Sequence, residues 1–112
     1  MTITIEPMDM KAMRLAVTQA SRLLKALANP DRLLLLCQLS QGEQCVSELE
    51  NLLGILQPTL SQQLGVLREE SLVNTRREGK QIFYSIASKE ALAVMQVLYA
   101  QFCNLTQERL ND

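Results

Sequence analysis

The chain has 112 residues, a formal net charge of −1, 47% hydrophobic residues and only 4% aromatic ones. That length fits one domain with short tails, and its core must be aliphatic. The sequence has three cysteines and no histidine, so both the commonest general base and the commonest metal ligand are missing. There is also no phosphate-cradling glycine loop and no nucleophile–base pair to assign, so the sequence does not read as an enzyme and implies no cofactor. No N-terminal segment has the form of a secretory leader and no apolar run could span a bilayer, so the chain reads as cytoplasmic with no membrane partner. In a reducing compartment, three cysteines are not a disulfide framework; they are small buried residues, metal ligands or reactive thiols.

Taken in chain order, residues 1–8 carry no pattern and read as a flexible tail. A single domain is expected over 9–108, with 109–112 as a second tail. From Met10, the apolar positions Met13, Ala16, Val17, Ala20, Leu23, Leu24 and Leu27 recur in steps of three and four, predicting an amphipathic helix. Asn29-Pro30 restarts the chain as cap and first helical residue. The helix from Pro30 to about Leu39 is apolar on most sides, which makes it central. Near Val46 a third helix begins, with Cys45 where a capping Ser would stand and Glu48 three residues on. Leu49, Leu52 and Leu53 form its inner face, and Gly54 permits the tight turn that follows.

The fourth helix, about Pro58 to Glu70, turns Leu60, Leu64 and Leu67 inward and presents Gln57, Thr59, Ser61, Gln62 and Gln63. Hydroxyl and amide groups crowded onto two turns suit hydrogen bonding to phosphates and base edges. The period then changes to two. Val73 to Arg77 and Gln81 to Ile86 alternate around Glu78-Gly79, predicting a hairpin that carries Arg76, Arg77 and Lys80. Ser88 caps a last helix with a stripe of Leu92, Met95, Leu98, Tyr99, Phe102 and Leu105. The expected fold is mainly α with a β-hairpin wing: four helices, two strands and a helix in the order of a winged helix-turn-helix. From Gln57 to Ser85, four basic residues face three acidic ones. One copy should therefore grip DNA poorly, and a pair of motifs is expected.

This order and these residues resemble the ArsR/SmtB-type family of winged-helix repressors, and within it the BigR-like (biofilm growth-associated repressor) group. The pieces that carry the resemblance are Leu23 to Pro30, Arg32-Leu33 leading to Cys37, Gln57 to Arg68, Gln81 to Tyr84, and Leu98-Tyr99 leading to Phe102-Cys103. Together they cover roughly Ala20 to Cys103. The resemblance implies a homodimer formed by the first and last helices, with the fourth helix in the major groove of a two-fold symmetric operator. It places Gln57, Thr59, Ser61, Gln62, Gln63 and Arg68 toward DNA on the helix. On the wing it does the same for Arg77, Lys80 and Gln81.

The resemblance also implies the input. Cys37 and Cys103 match paired cysteines that react with persulfides or oxidants and form a disulfide or polysulfide bridge, releasing operator DNA. Read on their own, without the resemblance, the same two residues fit ordinary buried small hydrophobes better than a sensor. Cys45 is a possible accessory thiol, since a helix N-terminus favours thiolate if the group is exposed. Soft-metal sensing is the alternative, yet Cys45-Val46-Ser47 lacks the second thiol of the Cys-Val-Cys motif and the last helix has no histidine. A soft ion would require Cys37, Cys45 and Cys103 to converge. A winged-helix module that binds protein is a further alternative.

Overall fold

In the computed structural model, residues 9–103 are described; the two tails, the domain limit at 108 and Leu105 of the apolar stripe lie outside them. Helix α1 spans Met10–Leu27 and is capped by Asp9, whose Oδ1 accepts from the Ala12 N–H at 2.8 Å. Helix α2 spans Pro30–Leu39, and the Asn29 side chain accepts from the Arg32 N–H at 3.0 Å as the Asn-Pro pair predicts. Strand β1 (Gln44–Cys45) leads directly into α3 (Val46–Leu53), then α4 (Thr59–Glu69). Strands β2 (Val73–Glu78) and β3 (Gln81–Ile86) form the wing, and α5 (Lys89–Leu98) runs into one π-helical turn, Tyr99–Cys103. Among the described residues, no helix is long and apolar enough to cross a membrane.

The core is aliphatic, as the shortage of aromatics requires. Leu35, Leu36, Leu49, Leu60 and Leu67 are fully buried, with Tyr84 as the one buried aromatic of the cluster. Helix α2 packs against α1, α3, α4 and β3, which makes it the hub. Its exposed edge is Leu34, so the helix is central without being buried all round.

The sheet departs from expectation. Its order is β1-β3-β2, antiparallel throughout, so the wing is the outer part of a three-stranded sheet instead of a free hairpin. Two residues are too short to show a period of two, which is why β1 escaped notice. Its pairing of Gln44 with Tyr84 and Cys45 with Phe83 anchors the base of the wing to the start of α3. The last helix also differs, because Tyr99 and Phe102 are exposed at 57% and 66% and lie on the π-helical turn.

Candidate nucleic-acid interface and thiol groove

The helix-turn-helix is built by α3, the turn and α4. Gly54 ends α3 in the left-handed region (φ 69°), and its N–H donates to the Glu50 carbonyl at 3.0 Å. A side chain at that φ is strained, so glycine fits the position. Ile55 then enters the core, and α4 buries Leu60, Leu64 and Leu67. The remaining faces of α4 leave Gln57, Ser61, Gln62 and Arg68 exposed, with Thr59 and Gln63 half-buried. The six residues predicted for this helix are all at least partly accessible, but they are not equivalent.

Two of the amides are already oriented. Gln57 Oε1 accepts from both the backbone N–H and the hydroxyl of Ser61. It thereby satisfies a first-turn donor that Pro58, standing at the N-cap, cannot satisfy. Gln63 Oε1 accepts from Arg32 Nη1 at 2.8 Å. Because a guanidinium only donates, that contact fixes which end of the Gln63 amide faces it. In both residues the amide oxygen is the engaged end, and an amide nitrogen is a donor suited to phosphate oxygens and to acceptor atoms on base edges.

On the wing, Gly79 (φ 64°) makes the turn, and Arg77, Lys80 and Gln81 are exposed near it. Arg76 does not join them. Its Nε lies 2.9 and 3.0 Å from the two Glu43 oxygens, Nη2 lies 2.7 Å from Glu43 Oε1, and Nη1 lies 2.7 Å from Glu78 Oε2. Its guanidinium also sits 4.5 Å above the Phe83 ring, the cross-strand partner of Arg76. These bonds hold the Glu43 carboxyl below the usual carboxylate range and raise Arg76 further. Arg76 is thus a clamp from the wing to the segment before β1.

The thiols fall into two places. Cys37 of α2 and Cys103 of the π-helical turn line one open groove of about 740 Å³, together with Ser40, Gln41, Leu92, Met95, Gln96 and Tyr99. Cys37 is half-buried and Cys103 is exposed, so Cys103 is not the buried hydrophobe that its neighbours in sequence suggested. Burial pushes the Cys37 thiol up, and the nearby Cys103 charge pushes it further in the same direction. Cys45 lies elsewhere, on a groove with Val46, Ser47, Lys80 and Ile82. It is 4% exposed, its Sγ is 3.2 Å from Ser47 Oγ, and its N–H donates to Glu48 Oε1 at 3.0 Å. Hydrogen bonding with the Cys45 side chain, and then with its backbone N–H, holds the Glu48 carboxyl low. The exposure that reactivity at Cys45 requires is absent, and the three cysteines do not converge. Among the described residues, no group of three His, Cys, Asp or Glu side chains could hold a metal ion.

Two residues with organising roles were not legible beforehand. Arg32 bridges α1, α2 and α4, and Glu43 anchors Arg76. The lone cation of a leucine-rich helix was the signal for Arg32. Glu43 gave none, because its partner lies 33 residues away in a sheet whose third strand was not foreseen.

Comparison with known proteins gives consistent neighbours. A family model for bacterial regulatory proteins of the arsR family matches residues 29–75, from the cap of α2 into β2. The biofilm growth-associated repressor of Agrobacterium fabrum is 54% identical over 101 residues, covering 90% of this chain and 86% of that protein. The crystal structure of the transcriptional repressor BigR from Xylella fastidiosa superposes with a TM-score of 0.78 at 49% identity, covering 86% of this chain and 98% of that one. A solution structure from Mycobacterium bovis, a homodimeric winged helix-turn-helix DNA-binding domain of a possible ArsR-family regulator, gives 0.68 at 33% identity. It covers 96% of this chain and 94% of that one.

Proposed function

The chain belongs to the arsR family of bacterial regulatory proteins, and from that premise we propose a homodimeric repressor released from its operator when sulfur bridges Cys37 and Cys103. The family is regulatory rather than enzymatic, and the helix-turn-helix supplies the output, DNA binding. Gln57, Thr59, Ser61, Gln62 and Gln63 face the major groove in this reading, with Arg68, Arg77, Lys80 and Gln81 toward the flanking backbone. Dimerisation through α1 and α5 is supported by exposed apolar groups on both, Val17 and Leu24 at 57% and 58% and Val97 at 59%.

One observation carries the input: two thiols from different elements, α2 and the turn after α5, line a single open groove. Cys103 is exposed and meets a soluble electrophile first. Its thiolate attacks the outer sulfur of an alkyl persulfide, R–S–SH, and R–S⁻ leaves, giving Cys103–S–SH. Cys37, with its raised thiol, acts second. Its thiolate attacks the sulfur bonded to the Cys103 Cβ, expels HS⁻ and closes a disulfide. The two thiols are oxidised, the persulfide is reduced, and the protons end on R–SH and H₂S. If Cys37 is persulfidated as well, its terminal sulfur makes the same attack and closes a trisulfide with loss of H₂S. The inserted sulfur spans a gap wider than the roughly 7 Å between Cα atoms that a disulfide tolerates.

Either bridge ties α5, one half of the proposed dimer contact, to the hub helix α2. A change in operator affinity follows only if the bridged and reduced states hold the two recognition helices differently. Peptide mapping by mass spectrometry after treatment with an alkyl persulfide should find Cys37 joined to Cys103 and Cys45 unmodified. Operator binding measured on the same samples should fall with the bridged fraction. A Cys37→Ser protein that still leaves DNA under the same treatment rules the dithiol reading out.

A further inference from the structure

We propose that Arg32 is a strap fixing the recognition helix α4 to α1, so that it sets which half-site spacing the protein accepts. This rests on the reading above, in which α1 helps form the dimer and α4 reads DNA. Helix α1 ends with four carbonyls that lack partners within the helix. The Leu24 carbonyl takes the Ala28 N–H and the Leu27 carbonyl takes the Asn29 N–H, both at 2.9 Å. The other two are taken by one guanidinium: Arg32 Nε donates to the Ala26 carbonyl at 2.6 Å and Nη2 donates to the Lys25 carbonyl at 3.2 Å. A cation at this end also suits the negative pole of the helix dipole.

The remaining arm, Nη1, donates to Gln63 Oε1 on α4 at 2.8 Å. Packing connects α1 to α2 and α2 to α4, so the Arg32 fork is a direct polar link between the outer two. A planar guanidinium holds three acceptors in fixed directions, which a lysine ammonium on a flexible stem does not. Gln63 sits on the half-buried flank of α4, where a bond restrains rotation of the helix about its own axis. A second link, Arg22 to Glu70 at the end of α4, is exposed, with Arg22 at 70%, and is weak by comparison.

The consequence concerns spacing. In a two-fold dimer the α4 copies stand about one DNA turn apart, and one base pair of extra spacer shifts a half-site by roughly 3.4 Å. A strapped α4 resists that shift, whereas one held only by the packing of Leu60, Leu64 and Leu67 can tilt further toward it.

The test uses duplex DNA carrying two inverted copies of the half-site recovered by selection from a randomised duplex pool, with the spacer varied by single base pairs. Wild type should bind on the order of tenfold more weakly one base pair from its optimum, comparable to the cost of a mismatched base pair. Arg32→Gln cuts the whole strap, and Gln63→Ala cuts only its α4 end, leaving the α1 carbonyls capped. Both should flatten the preference to within about threefold, and the double variant should be no flatter than either single one. Arg32→Lys should not restore the preference, and Arg22→Ala should keep it.

If Arg32→Gln does not fold, Gln63→Ala decides alone. Losing a base contact changes preference at one base and leaves the spacing optimum in place. Variants that keep the tenfold optimum, whatever overall affinity they lose, overturn the strap and leave the two-fold reading standing. A wild-type protein with no spacing optimum overturns both.

Discussion

The position of Arg76 leads to a measurable separation among the cations of the wing. Arg76, Arg77 and Lys80 are close in sequence and all exposed, but the Arg76 guanidinium is committed to Glu43, Glu78 and the face of Phe83. Each phosphate neutralised adds about 0.9 to the slope of log K against log salt, so one contact per protomer adds about 1.8 in a dimer. Arg77→Ala or Lys80→Ala should therefore lower the slope by about 1.8. Relative to wild type, either should cost less at high salt: the gap in affinity narrows roughly tenfold between 50 and 200 mM salt. Arg76→Ala should leave the slope near the wild-type value, because the cation was not on a phosphate. Its affinity should still fall, since the wing loses its anchor and two carboxylates lose their partner. Fluorescence anisotropy of a labelled operator across a salt series reads both quantities. A slope that drops by about 1.8 in Arg76→Ala, as for a phosphate contact, would refute the clamp.

Other expectations follow from packing, capping and titration. Leu60 is fully buried at the inner face of α4, so Leu60→Ala should cost about 2–5 kcal/mol in urea unfolding; a cost under about 1 kcal/mol contradicts the described core. Asn29→Ala removes the cap of α2 and should cost about 1 kcal/mol, with Asn29→Asp recovering most of it. The Cys37 thiol is raised by burial and by Cys103, so less of it is thiolate at neutral pH and its alkylation should reach half-maximal rate above the ordinary thiol range. In Cys103→Ser that midpoint should move down, yet stay above an exposed thiol because burial remains. An unchanged midpoint would mean the two sulfurs do not feel each other.

What the sequence made legible was whatever repeats locally. The helical period of α1, the Asn29-Pro30 restart, the Gly54 turn and the alternation of Ile82, Tyr84 and Ile86 each reflect forces within a few residues, and the structure carries all of them. What escaped were long-range pairings that leave no period. Strand β1 exists because Gln44 and Cys45 meet Tyr84 and Phe83, about 40 residues away. The commitment of Arg76 follows from that strand, since Glu43 immediately precedes it. The candidate site shows the same division. Residue type marked the outward side of α4, but the orientation of the Gln63 amide depends on Arg32, 31 residues earlier. For the cysteines, local context misled: Cys103 follows an aromatic residue on an apolar stripe, yet the π-helical turn leaves it exposed.

A sulfur bridge between Cys37 and Cys103 should weaken operator binding. The most direct test compares the purified bridged protein with the same sample after reduction by dithiothreitol, on one operator at one salt concentration. Affinity should be about 5–150-fold lower in the bridged form, the usual range of coupling between two sites, and should recover fully on reduction. Equal affinity of the two forms would contradict this.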